Sequence, residues 1–180
     1  MRGFTLIELI ATTAIVATML TVGVPSFKNL LENHHAKISL FTLRQTLQKA
    51  RIFALKKGQK TLVCPIKNKQ CVDDWSQPLA VFSDLNNNLT LDANEDLLVK
   101  VSNNVAYGYW QKKKATQSYI KFNNLGHAFG SATTFLYCPN SGSNNFAKQL
   151  VINFQGRIRT NSYLNTLGTP YSNVTPLICP

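Results

Sequence analysis

Gly3-Phe4-Thr5-Leu6-Ile7-Glu8-Leu9 opens the stretch that decides the fold: from residue 4 to residue 27 the chain runs 24 residues with Glu8 as its one charge. As an α-helix at about 1.5 Å per residue, this run reaches about 36 Å, enough to cross the apolar core of a bilayer. Only Met1, Arg2 and Gly3 precede it, so it lacks the longer basic region and the small-residue cleavage site of an ordinary secretory signal. Arg2 is expected to stay on the cytoplasmic side. A carboxylate inside an apolar span is costly, so Glu8 needs a partner or a function. Pro25 removes a backbone donor near the end of the run and is expected to kink or loosen the helix.

Beyond Pro25 the pattern turns amphipathic. Leu40, Leu43, Leu47, Ala50 and Ala54 recur at three- and four-residue spacing, with Lys37, Arg44, Arg51 and Lys57 largely off that stripe. Lys56 and Lys57 suit the negative end of a helix, and Gly58 suits its termination. One helix over residues 4–57 is expected, with a membrane-spanning part at 4–27 and an amphipathic part at 28–57 on which a soluble domain packs. From residue 58 to residue 180 the apolar runs are short and β-rich: 61–65, 79–83, 97–101, 106–110, 119–122, 133–137 and 150–154, separated by Gly, Asn, Ser and Pro. The class is α+β, a long N-terminal helix packed on an antiparallel β domain of two small sheets. No internal repeat is apparent.

A chain of 180 residues, 44% hydrophobic, supports one domain with its own core. Nineteen Lys and Arg stand against eight Asp and Glu, and every acidic residue lies at or before Asp96. The acid-free half favours nucleic acid or an anionic surface as partner over an acidic protein face, although a basic surface kept for solubility has the same charge. Four cysteines in a loop-rich chain built for export predict two disulfides. Of the three pairings the sequence permits, Cys64 with Cys71 and Cys138 with Cys179 are preferred, the first stapling a loop and the second tying down the tail. Zinc is disfavoured because no Cys-x2-Cys pair occurs and His34, His35 and His127 are not at ligand spacing from the cysteines.

Asp84, Asn86, Asn88, Thr90, Asp92 and Glu95 fall at positions 1, 3, 5, 7, 9 and 12 of an EF-hand calcium loop. Leu89 stands where that loop needs Gly, and strands flank it where helices belong. The expectation is a turn-rich connector using Asn and Asp for their turn chemistry, with calcium the lesser reading.

Leu150-Val151-Ile152-Asn153-Phe154, then Gln155-Gly156, then Arg157-Ile158-Arg159-Thr160 read as strand, turn and strand. Alternation sets Arg157 and Arg159 on one face, about 6 to 7 Å apart. Each guanidinium can grip a phosphate oxygen with forked donors and stays charged near neutral pH. Lys148 is placed beside this hairpin, with Lys112, Lys113, Lys114 and Lys121 as further basic candidates. Tyr163 and Tyr171 offer stacking surfaces or packing for the tail. An enzyme is not expected: the second half has no carboxylate side chains, the histidines are isolated, and no phosphate-binding Gly-rich loop or other cofactor motif follows a strand.

The opening residues Gly3 to Leu9 resemble the prepilin signature of type IV pilins and type II secretion pseudopilins. That resemblance implies the pilin fold, cleavage after Gly3 by a prepilin peptidase and methylation of Phe4. It also implies pairing of Glu8 with the Phe4 amine of a neighbouring subunit. The loop at 84–95 resembles the Asp-x-Asn loops of the GspH/FimT group. Gly156-Arg157-Ile158-Arg159 resembles the GRxR element of FimT-type minor pilins, associated with DNA binding in natural transformation. The implied partners are DNA, other pilins, the peptidase and, before assembly into a surface pilus, the inner membrane. The alternatives are a structural minor pilin or GspH-like pseudopilin that initiates or caps a filament, and an adhesin for anionic surfaces.

Overall fold

The computed structural model describes residues 5–102, 105, 107–113, 117–161, 163–164, 170–172 and 175–179. It divides into two compact units, Met1–His34 and His35–Pro180, and helix α1 (Leu6–Lys57) contributes to both.

In the first unit, Thr5 and Glu8 cap the helix reciprocally. The Thr5 amide and hydroxyl donate to Glu8 Oε2 at 3.0 and 3.1 Å, and the Glu8 amide donates to Thr5 Oγ1 at 3.3 Å. This Thr-x-x-Glu capping box satisfies amides that a first turn leaves without partners. The hydroxyls of Thr12, Thr13, Thr18 and Thr21 donate to carbonyls of the preceding turn, which hides their polarity within an apolar rod. Leu6, Ile7, Leu9, Met19 and Leu20 are all exposed. The segment is long and apolar enough to cross a membrane. Pro25 lies inside the helix and does not end it; Gly3 and Phe4 lie outside the described residues.

In the second unit the expected stripe is the core face of α1. Ala36, Leu43, Leu47, Ala50 and Ala54 are fully buried, with Leu40 partly so. Gly58 follows at φ +65°, a left-handed conformation suited to glycine, and closes the helix where the sequence predicted.

The first sheet holds β1 (Thr61–Lys67), β2 (Gln70–Cys71), β3 (Leu79–Phe82), β4 (Leu97–Val101) and β6 (Ile120–Phe122). Its order is β2-β1-β3-β4, with β6 also paired to β1, and all pairings are antiparallel. Val63, Leu79, Val81, Ile120 and Phe122 face α1, while Leu62, Cys64, Ala80 and Phe82 form a second cluster on the opposite face. Both faces are therefore dry, which explains the unbroken apolar runs of β1 and β3.

The loop at 84–95 supplies Leu89 and Leu91 as cover for that second cluster. Its carboxylates bond within the loop itself. Asp84 accepts from the Asn88 and Leu89 amides, and Glu95 from those of Leu85 and Asp92. Asp92 accepts from the side-chain amides of Asn86 and Asn88. Leu89 adopts φ +62°, the conformation a glycine would take, while its side chain packs beneath the loop.

The second sheet has the order β5 (Gly108–Lys113), β7 (Thr133–Pro139), β8 (Lys148–Ile152), β9 (Ile158–Asn161), again antiparallel. Trp110, Phe135, Tyr137, Leu150 and Ile152 join the same core as α1. Strand β5 starts later than expected and runs on into the lysines. Gly108 permits this: a Cβ there would lie 2.4 Å from the Tyr137 hydroxyl and 2.5 Å from the Cys138 carbonyl oxygen. A short 3-10 turn, η1 (Asn144–Phe146), precedes β8, and β10 (Tyr163–Leu164), β11 (Pro170–Ser172) and β12 (Thr175–Pro176) form a small ribbon in the tail. Disulfides join Cys64 to Cys71 and Cys138 to Cys179, as preferred from sequence.

Lys148 follows the two-residue alternation of β8 and shares the inner face with Leu150 and Ile152. It is half-buried, and burial followed by the nearby charge of Lys37 lowers its pKa from the usual 10.5.

Every residue of the main core lies at or beyond Ala36, so a fragment starting at Asn29 retains the whole of it. In urea titrations of this fragment, removing Cys138–Cys179, which closes 41 residues, is expected to cost about 4 kcal/mol. Removing Cys64–Cys71, which closes 7, should cost about 2.5 kcal/mol. Lys148→Met should stabilise the fragment at neutral pH, because a depressed folded pKa penalises the charged form. The penalty is full below the folded pKa and disappears as the pH rises toward 10.5, so the gap between variant and parent should close over that window.

Candidate nucleic-acid interface

The hairpin between β8 and β9 is closed by its own asparagine. The Gly156 amide donates to the Asn153 carbonyl at 2.9 Å, the Asn153 amide to the Arg157 carbonyl at 3.2 Å, and the Arg157 amide to Asn153 Oδ1 at 2.8 Å. Strand β8 therefore stops at Ile152, two residues before the predicted end, because the Asn153 side chain takes over the next amide. Gly156 has φ +72°, and a Cβ there would sit 2.0 Å from the Gly126 carbonyl oxygen. Both the conformation and the contact demand glycine.

Gly126 belongs to a second turn of the same construction. The Gly126 amide donates to the Asn123 carbonyl at 2.9 Å, the Asn123 amide to the His127 carbonyl at 2.9 Å, and the His127 amide to Asn123 Oδ1 at 2.8 Å. Asn123-Asn124-Leu125-Gly126-His127 and Asn153-Phe154-Gln155-Gly156-Arg157 thus share an Asn-x-x-Gly pattern that the reading of the sequence missed. The two turns stack, with the Ala128 amide donating to the Phe154 carbonyl at 2.9 Å. Arg51 of α1 reaches both, Nε donating to the Gly126 carbonyl at 3.0 Å and Nη2 to the Gln155 carbonyl at 3.1 Å. Gln48, Arg51, Ile52, Leu55, Arg157 and Ile158 line a groove between helix and hairpin.

Arg157 and Arg159 are exposed on either side of half-buried Ile158, the alternation read from sequence. Among the described residues, ion pairs join Lys57 to Asp96 and Lys112 to Asp73, and neither arginine takes part in one. Register extends the site across the outer face of the second sheet. Lys113 pairs with Thr134, Thr134 with Val151 and Val151 with Arg159, so an exposed lysine and an exposed arginine end one cross-strand row. Three strand spacings separate them by about 14 Å.

Other basic candidates fall elsewhere. Lys112 alternates inward with Trp110. Its side chain is 4% exposed, its ammonium lies 2.7 Å from Asp73 Oδ1 and 6.0 Å from the Trp75 ring centroid, and it also donates to the Gln117 carbonyl. It is an internal ion-pair residue, not a solvent-facing cation. Lys148 is on the core face of its strand, opposite the face carrying Arg159. Lys121 lies on the first sheet, 5.9 Å from the Tyr119 ring centroid. Lys114 is outside the described residues, as are the side chains of Tyr163 and Tyr171.

Residues 42–156 match the family of the type II transport protein GspH. The fold is similar to that of the type IV minor pilin FimU of Pseudomonas aeruginosa in two crystal forms. One has TM-score 0.55 and 22% identity, covering 69% of this chain and 90% of that chain. The other has TM-score 0.57 and 19% identity, covering 83% and 98%. The minor pseudopilin EpsH of the Vibrio cholerae type 2 secretion system gives TM-score 0.48 and 14% identity over 70% and 95%. No curated protein matches the chain. Pilins and pseudopilins are structural subunits that assemble with other subunits into filaments, not enzymes. With the family match spanning more than half of its length, the chain belongs to the GspH family of pilin-like proteins.

Proposed function

We propose that this chain is a FimT-type minor pilin that captures DNA without sequence preference and contributes to DNA uptake in natural transformation. The observation that carries this reading is the pair of exposed guanidiniums, Arg157 and Arg159, at the end of a hydrogen-bonded turn and the start of β9, with no carboxylate paired to them among the described residues. Lys113 extends the cationic surface by one more contact. Affinity made this way rests on phosphates and on released counterions. Several subunits in one filament would add avidity. The chain's first segment serves as a single-pass inner-membrane anchor before assembly. A prepilin peptidase cuts after Gly3 and methylates Phe4, and Glu8, capped by Thr5 in the isolated chain, exchanges that partner for the Phe4 amine of a neighbour.

A second reading, a structural minor pilin or pseudopilin that does not bind DNA, draws on the exposed apolar residues Ile38, Phe41, Ile52 and Leu55 of α1, which suit packing against other subunits. The two readings separate on the behaviour of the arginines.

The fragment starting at Asn29 is expected to bind DNA at low salt and to lose affinity steeply as salt rises. Arg157→Gln/Arg159→Gln should abolish most of that binding, and Lys113→Gln should flatten the logarithmic salt slope by about 0.9. No binding by the parent fragment at low salt would leave the structural reading standing. Gly156→Ala should cost about 1–3 kcal/mol of stability through its positive φ and its contact with Gly126, and should weaken DNA binding although no charge is lost; a calorimetric melt beside the titration checks both.

A further inference from the structure

We propose that Arg51 of α1 is a positioning residue for the arginine hairpin: its forked guanidinium clamps the two Asn-x-x-Gly turns together and so fixes the direction in which Arg157 and Arg159 project. This rests on the DNA-binding reading for its consequence, but the clamp itself is a matter of geometry. Arg51 donates to one carbonyl in each turn, Gly126 at 3.0 Å and Gln155 at 3.1 Å. The turns touch closely, with the Gly156 Cα against the Gly126 carbonyl and the Ala128 amide on the Phe154 carbonyl. Gln155 and Gly156 immediately precede Arg157, so a bond to the Gln155 carbonyl fixes the Gln155–Gly156 peptide, one residue before the first arginine.

The chemistry selects arginine at this position. Two carbonyls on separate turns must be met at once by donors in a fixed plane, and a guanidinium has that shape. A lysine ammonium is a single compact point on a flexible stem. Arg51 is half-buried on a helix whose core contacts are made by Leu47, Ala50 and Ala54. Substitution there leaves the core untouched, so the variants are expected to fold. Strand β9 ends the sheet, and beyond β8 the hairpin leans on Ile158 in the core and on the Asn123–His127 turn. Arg51 ties that edge to the helix.

Arg51→Lys and Arg51→Gln are compared with the parent in the fragment starting at Asn29. The first measurement needs no DNA: the Ala128 amide, which bridges the two turns, should exchange with deuterium at least about tenfold faster in both variants, while amides in β7 keep the parent rate. In DNA titrations both variants should lose affinity to a similar extent, on the order of fivefold, with the salt slope kept. Neither should weaken binding further when added to Arg157→Gln/Arg159→Gln. Unchanged Ala128 exchange in both variants overturns the clamp. Parent-like affinity in Arg51→Lys, with a reduced slope in Arg51→Gln, also overturns the proposal and makes Arg51 a direct phosphate contact. If the parent does not bind DNA, the functional reading fails alone, and Ala128 exchange still decides whether Arg51 holds the turns.

Discussion

The apolar stripe of α1 from Ala36 to Ala54 is the surface on which both sheets of the second unit depend. Each sheet presents one inner face to it, Val63, Val81 and Phe122 from one and Phe135, Tyr137 and Leu150 from the other, and all belong to one continuous core. Alanine at positions 36, 50 and 54 keeps the helix surface low, leaving room for Trp75 and Trp110, whose rings meet Phe135 edge-on at centroid distances of 4.5 and 6.3 Å. Without the stripe neither sheet has a buried face large enough to hold it, because small sheets need a packed partner for stability. The hairpin is tied to the same helix through Arg51, the residue after Ala50 of the stripe.

Electrostatics follow from the way the few acids are consumed. Asp73 holds Lys112, and Asp96 holds Lys57. Asp84 and Glu95 are turned to backbone amides in their own loop. Asp74 accepts from the Gln77 side chain at 2.9 Å and the Ser76 amide at 3.0 Å, bonds that keep its pKa below the ordinary carboxylate value. These carboxylates serve structure in the first half of the β domain. None reaches the outer face of the second sheet, where Lys113 and Arg159 end one row. The excess of +11 is therefore uneven in space as well as along the chain.

Much of the architecture was legible because its signals are local. The stripe, the stop at Gly58, most strands and the alternation of Arg157, Ile158 and Arg159 follow from spacing and from residue chemistry at adjacent positions, whereas the cysteines left three pairings open, of which the preferred one is present. The site was legible in part. Lys148, Lys112 and Lys121 look alike as letters, yet one faces the core, one is buried on Asp73 and one lies on the other sheet. Their roles depend on strand phase: the pairing of Trp110 with Tyr137 turns Lys112 inward and Lys113 outward, and a one-residue slip would exchange them. That pairing, with Gly108 close against Tyr137, joins residues far apart in the chain.

Sequence by itself determined that an apolar helix opens the chain, that a β region follows whose second half is basic and acid-free, and that two arginines stand on either side of Ile158, since each depends on residues a few positions apart. Tertiary structure alone decided which lysine joins them, and that Arg51, more than a hundred positions from Arg157, braces their turn. Contacts of that separation arise only when the two Asn-x-x-Gly turns stack, and the stacking is set by how both sheets close on one helix.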